Sequence, residues 1–258
     1  MKIKLFFIIL FFSQSVFGGT GLATVYKITM TKIELCENAT IINETSYTTS
    51  GCITVGTGNL TVDIASAAAG ADIAKFADTT GLPIGKTYRW AQPTLSRAFS
   101  IKGSAVITKI SDSSNAMCAT NSSNSFGSRE KYHTMIAGTI DGTPSEVTMY
   151  TPSQNSGETV LCFNADCSSA STGGNLSFDL PNTTSTYGHA IDVPGTSEDT
   201  FKMIYQLTTP YTVGKAAPKI SILFGTSTGL EGKAVWTGSA DACVLNPYFP
   251  AVNMSVSE

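Results

Sequence analysis

From Ala23 onward, apolar and polar residues alternate with a period of two. In Ala23-Thr-Val-Tyr-Lys-Ile-Thr-Met-Thr-Lys-Ile-Glu-Leu35, Tyr26, Ile28 and Met30 share one face, and the phase then shifts to Ile33 and Leu35. Alternation of this length predicts a β-strand. The shift predicts a bulge, or two halves that serve different sheets. Further strands are expected at residues 52–55 and 60–64, split by Gly56-Thr-Gly58, and at 88–90 and 96–102, with Pro93 between them. Residues 105–110, 159–163, 176–180, 201–208, 219–224, 233–237 and 251–256 repeat the pattern. Residues 134–140 and 147–150 read as a hairpin around Asp141-Gly-Thr-Pro144. Polar loops are expected at 37–50, at 111–129 (holding Cys118) and at 168–174. Residues 65–78 form the best helix candidate, weakened by Gly70. About a dozen short strands between Gly/Pro/Asn/Ser turns predict an all-β fold. The expectation is an antiparallel β-sandwich, Greek-key or jelly-roll-like, with long loops and few short helices.

The segment before this pattern is different. Lys2, Lys4 and an apolar run to Phe12, followed by Val16, Phe17, Gly18 and Gly19, read as a secretory signal cleaved after Gly18. Residues 19–258 are then one large sandwich domain that begins with a strand over residues 19–35, and the run 5–12 is too short to span a bilayer. No cysteine lies near the cleavage site, and residues 251–258 carry no apolar tail, so neither a lipid anchor nor a GPI-like anchor is expected.

Composition agrees with export. Hydrophobic residues are 42% of the chain, enough for a core, but charged residues are only 14%, against roughly 25% in ordinary soluble domains. Their place is taken by 29 Ser, 35 Thr and 23 Gly. A net charge of −3 gives no basic patch for nucleic acid and no polybasic segment for anionic lipid.

The six cysteines are Cys36, Cys52, Cys118, Cys162, Cys167 and Cys243. An even number in an exported chain predicts disulfides. Spacing does not decide the pairing; the expected set is Cys36–Cys52 across a loop, Cys162–Cys167 as a local bridge and Cys118–Cys243 joining distant parts. A zinc site is disfavoured, because there is no C-x-x-C and neither His133 nor His189 is suitably spaced from a cysteine pair.

Candidate chemistry is sparse. Gly225-Thr-Ser-Thr-Gly229 fits the nucleophile elbow G-x-S-x-G, with Asp241 downstream, but both histidines lie upstream and the next residues make a poor helix. A strand-to-strand turn is the plainer reading. Asp112-Ser-Ser-Asn115 and Asn164-Ala-Asp166 lack the rest of a calcium loop. Seven N-x-S/T sites are candidate glycosylation positions: Asn38 and Asn43, placed in one loop, with Asn59, Asn121, Asn175, Asn182 and Asn253. Tyr88, Trp90, Trp236, Tyr248 and Phe249 are candidates for a sugar-stacking platform, with burial in the core the commoner fate of such rings.

The succession Tyr26-Lys-Ile-Thr-Met-Thr-Lys-Ile-Glu34, Leu60-Thr-Val-Asp-Ile64 and Leu82-Pro-Ile-Gly-Lys-Thr-Tyr88 resembles a family of secreted bacterial β-sandwich modules of unknown function. That family carries a strand V-x-I-x-x-I-E, then V-D-L, then a turn L-P-x-G-x-Y. Here the turn has one extra residue before Tyr88. The likeness covers about a third of the chain. It implies a surface-exposed sandwich and no catalytic residues.

These readings converge on a non-enzymatic extracellular protein without cofactor or metal. The expected role is a subunit of a surface filament, pilus-like fibre or matrix. It would self-associate through a polymerisation strand carrying Val25, Tyr26, Ile28, Met30, Ile33 and Leu35. The alternative is a monomeric adhesin that binds surface glycans; a hydrolase using Ser227 comes third.

Overall fold

The computed structural model describes residues 19–43, 46–66, 71–72, 81–124, 136–150, 160–162, 170–172, 189–192, 198–215, 219–247 and 251–257. The fold is all-β. Its strands are β1 (Gly19–Gly21), β2 (Ala23–Asn43), β3 (Ser46–Asp63), β4 (Ala71–Asp72), β5 (Thr87–Ser96), β6 (Ala98–Thr108), β7 (Asn115–Ala119), β8 (Ile136–Ala137) and β9 (Thr139–Ile140). They continue with β10 (Val147–Tyr150), β11 (Val160–Cys162), β12 (Ala170–Thr172), β13 (His189–Asp192), β14 (Thr200–Thr212), β15 (Lys219–Gly225), β16 (Leu230–Trp236), β17 (Asp241–Pro247) and β18 (Ala251–Ser257). One 3₁₀ turn, Ser122–Asn124, is the sole helical element among the described residues.

The largest sheet grows around β2. One edge of β2 carries β3 from Lys27 to Asn43. The other edge carries β6 beside Ala23–Lys27 and β5 beside Met30–Cys36, both antiparallel. Strands β5 and β6 are therefore one extended line, broken at Arg97. The break puts the Arg97 side chain inside, 1% exposed, where its Nη1 donates to the Glu198 carbonyl and its backbone N–H to the Asp199 carbonyl. Strand β14 borders β5, β13 borders β14, and β10 and β7 border β6. Pro93 does not separate two strands, as the sequence suggests; it lies within β5. Its missing N–H is accommodated because the β14 ladder has no pairs opposite Gln92 and Pro93.

A second sheet, in the order β1-β16-β17-β8-β11-β12, stacks on the first, and a third holds β18, β15 and β4. Pairing is antiparallel except between β8 and β11. The apolar face of β2 (Tyr26, Ile28, Met30, Ile33, Leu35) is buried. Tyr26 meets Phe99 edge-on with centroids 5.7 Å apart, and Phe99 lies 6.2 Å from Phe201. The phase shift after Met30 is a bulge, seen in both the β3 and the β5 ladders.

Glycines let β1 and β16 lie close against β6 along a seam. A Cβ on Gly21 would lie 2.0 Å from the Ser104 carbonyl oxygen, one on Gly103 2.2 Å from that of Leu22, and one on Gly232 2.9 Å from Ala105 Cβ. A covalent bridge, Cys118–Cys243, joins β7 to β17. Gly138, between β8 and β9, passes beside it; a Cβ there would lie 2.3 Å from Cys118 Sγ.

Several expectations need correction. Residues 37–43 and 46–50 are not a loop but the far ends of strands β2 and β3, paired with each other. Cys118 lies in strand β7, not in a Ser/Asn loop. Within residues 65–78, Ala71–Asp72 pairs with β15 as a strand instead of joining a helix, and a turn occupies residues 64–66; residues 67–70 and 73–78 lie outside the described residues. Residues 134–150 do not fold as a hairpin: β9 pairs with β7, and β10 pairs with β6. Strand β17 has no counterpart in the sequence reading. The expected strand at 176–180 lies outside the described residues.

Candidate functional site: the open edge of strand β3

Residues 19–35 are not a loose donor segment in the single chain. Strand β1 is bound to β16, and β2 has neighbours on both edges. Of the expected polymerisation residues, Tyr26, Ile28, Met30, Ile33 and Leu35 are buried in their own core, and Val25 is half-buried. Alternation alone does not separate a central strand from an edge strand, because both are half-apolar.

Among the described residues, the long strand paired on one side only is β3 instead, with β13 lying near it. Over its 18 residues β3 pairs only with β2 among the described residues. Edge strands are normally blunted by Lys, Pro or short length. Strand β3, Ser-Tyr-Thr-Thr-Ser-Gly-Cys-Ile-Thr-Val-Gly-Thr-Gly-Asn-Leu-Thr-Val-Asp, has neither Lys nor Pro, and Asp63 at its end is the sole charge. Bulges interrupt it between Thr54 and Gly56 and again between Thr57 and Leu60. From Tyr47 to Ile53 it is regular apart from the positive φ of 64° at Gly51.

This half of the hairpin is firmly held. Cys36 and Cys52 face each other across the ladder and are joined, with Cα atoms 3.9 Å apart. Gln92 Nε2 donates to Tyr47 Oη at 2.9 Å, and Lys86 Nζ pairs with Glu37 at 3.0 Å. So close a Cα pair marks the narrow, non-hydrogen-bonded type. Two residues along, Asn38 and Ser50 are again a narrow pair, so the backbone N–H and C=O of Ser50 point away from β2.

The other sequence candidates disperse. Cys162 lies in β11, and its expected partner Cys167 lies outside the described residues. Ser227 is exposed in the turn that carries β15 into β16, where the Gly229 N–H donates to the Thr226 carbonyl; a strand follows it, not a helix. His189 pairs with Tyr205 in the largest sheet, the one that holds β3; His133 lies outside the described residues. Of the stacking candidates Tyr88 is core, Trp90 is half-buried and Trp236 is 45% exposed; Tyr248 and Phe249 lie outside. Asn38 and Asn59 are exposed on β2 and β3 rather than on a loop. Asn121 opens the 3₁₀ turn, accepting from Ser123 N–H and donating to Thr139 Oγ1. Asn43 ends β2 and Asn253 lies in β18, while Asn175 and Asn182 are outside the described residues. No group of three or more metal-ligating side chains occurs among the described residues, and none of their helices is long and apolar enough to cross a membrane.

Asp112 serves the β6–β7 turn. It accepts from the hydroxyl and N–H of Ser114 and from Lys109 Nζ. These bonds, the Ser114 hydroxyl first, lower its pKa from 3.8 to about 2. Asp241 is lowered in the same way, first by the Ser111 hydroxyl and then by the Ile110 and Ser111 N–H groups. A carboxylate depressed on folding stabilises above its unfolded pKa and loses that contribution as pH falls through its folded value. The denaturation midpoint is therefore expected to fall as pH drops from 3.8 toward about 2, and Asp112→Asn should flatten part of that dependence. An acid titration of the urea midpoint checks it.

Compared with known proteins, the chain matches no family model, no curated protein and no solved structure.

Proposed function

We propose that this chain is a non-enzymatic extracellular structural protein, a fibre or matrix subunit that polymerises by strand addition at the edge of β3. The observation that carries this reading is a long, nearly uncharged edge fixed by a disulfide. Such an edge offers a row of backbone donors and acceptors to a second strand. Two disulfides suit an oxidising compartment. A surface of hydroxyls rather than charges gives little like-charge repulsion between copies. The N-terminal strand keeps its place in its own sheet; withdrawing it would expose Tyr26, Ile33 and Leu35 and split the core.

Ser50→Pro is the selective test. It removes an N–H that points outward and leaves the β2 ladder its bonds. Negative-stain microscopy of protein starting at residue 19 should show fibres for the native chain and monomers for Ser50→Pro, both with the Cys36–Cys52 bridge formed. Fibres from both proteins, or from neither, would overturn the reading. A glycan-binding module is the second reading, favoured by exposed Trp236, and monomers that bind a glycan array would support it.

A further inference from the structure

On the β16–β17 hairpin, Gly232 and Leu245 face the stacked sheets, so Glu231, Lys233, Val244 and Asn246 face the other way. That second face is also covered: Asn246 is 4% exposed, and the side chains of Lys233 and Glu231 are 15% and 12% exposed. Glu231 stands directly opposite Asn246. One of its oxygens lies 3.5 Å from Lys233 Nζ, and the other accepts from Asn246 Nδ2 at 3.3 Å. Lys233 stands opposite Val244, which makes Asn246 its diagonal neighbour, a spacing that a long side chain spans. Asn246 Oδ1 is buried with no hydrogen-bond partner among the described residues. A buried amide oxygen left unbonded is costly in a finished core.

We infer that Lys233 and Asn246 are joined by an intramolecular isopeptide bond, formed with Glu231 as the proton shuttle. Glu231 takes a proton from the Lys233 ammonium. The freed amine adds to Cγ of Asn246, and a bond forms between Lys233 Nζ and Cγ. The bond from Cγ to Nδ2 then breaks. Through Glu231, the two protons lost by the lysine nitrogen leave with the departing nitrogen as ammonium, and Glu231 ends as a carboxylate. No oxidant or cofactor is consumed. Scarce water and a carboxylate held between amine and amide are what such a transfer needs. The bond would lock a hairpin that is already tied on its inner face through Cys243. It is independent of any polymerisation at β3.

Intact mass spectrometry of the folded native chain, with its disulfides accounted for, tests the bond. The expected mass is lower than the sequence mass by one ammonia. Trypsin should leave residues 220–258 uncut after Lys233, with no fragment ions from breaks between Lys233 and Asn246. Lys233→Arg, which keeps the charge beside Glu231, and Glu231→Gln should both restore the full mass, with Cys118–Cys243 formed as the check on folding. A native chain of full sequence mass would overturn the inference. So would an ammonia deficit that persists in Lys233→Arg.

Discussion

Replacing Cys118 and Cys243 together by alanine is expected to destabilise the protein by about 4–5 kcal/mol. The two residues are 125 apart in sequence. In the chain-entropy account, a bridge across a loop of that size restricts the unfolded chain far more than a short one does. The bridge between Cys36 and Cys52 spans 16 residues and is expected to contribute nearer ~3 kcal/mol. The native state adds to the difference. Cys118 and Cys243 are both fully buried where sheet stacks on sheet, so alanine leaves a gap between the layers. For a chain of this length, the loss corresponds to a Tm lower by on the order of 10–20 °C. Thermal unfolding of the two double variants, without reductant, measures both. Equal losses would show that the link between sheets contributes no more than the link within the hairpin.

Gly21→Ala and Gly103→Ala are each expected to destabilise by about 3 kcal/mol, the upper end of ordinary overpacking. The reason is steric and involves backbone. The added Cβ would lie 2.0 Å from the Ser104 oxygen in one case and 2.2 Å from the Leu22 oxygen in the other. Neither oxygen sits on a flexible side chain, so relief requires strand β1 to lift from β6. That movement would also disturb the bond from Ser104 N–H to the Leu22 carbonyl. Gly81→Ala is the control, since nothing lies within 4 Å of its added Cβ. Denaturant midpoints that change equally in all three variants would sink the idea of a close seam.

The resulting molecule is held together unevenly. Its stacking is fixed at the Cys118–Cys243 bridge and along the glycine seam, while the β2–β3 hairpin is tied back by Cys36–Cys52, Gln92 and Lys86. A long edge that is rigid and nearly uncharged favours strand addition over slippage, because a preordered acceptor has little entropy left to lose.

Local chemistry carried much of the fold. Alternation in residues 23–35, with its change of phase after Met30, and in the parts 96–102 and 105–110 that the structure joins largely as β6, is visible without tertiary context, because a period of two puts every second side chain into the core. The bulge after Met30 was legible as a shift of phase. The bridges Cys36–Cys52 and Cys118–Cys243 match the expected pairing. Residues 37–50 misread as a loop because Asn, Thr and Ser are turn residues by frequency, yet Thr is also β-branched and sits well in a ladder once a partner strand is aligned. Strand β17 was missed because Asn246 and Pro247 interrupt its apolar pattern, and only burial on both faces accounts for them.

The candidate sites divide in the same way. Sequence alone determined the all-β class, the sparse charge and the even set of six cysteines, since these follow from composition and short-range periodicity. It could not rank the strands as central or edge. Which strand lies at the centre depends on partners far along the chain, such as residues 87–108 beside β2. Nor could it bring Glu231, Lys233 and Asn246 together. Their meeting depends on the register of one hairpin, and a slip of one residue would turn Asn246 to the opposite face. Tertiary structure decided those questions, because long-range pairing and burial set them and local propensity does not.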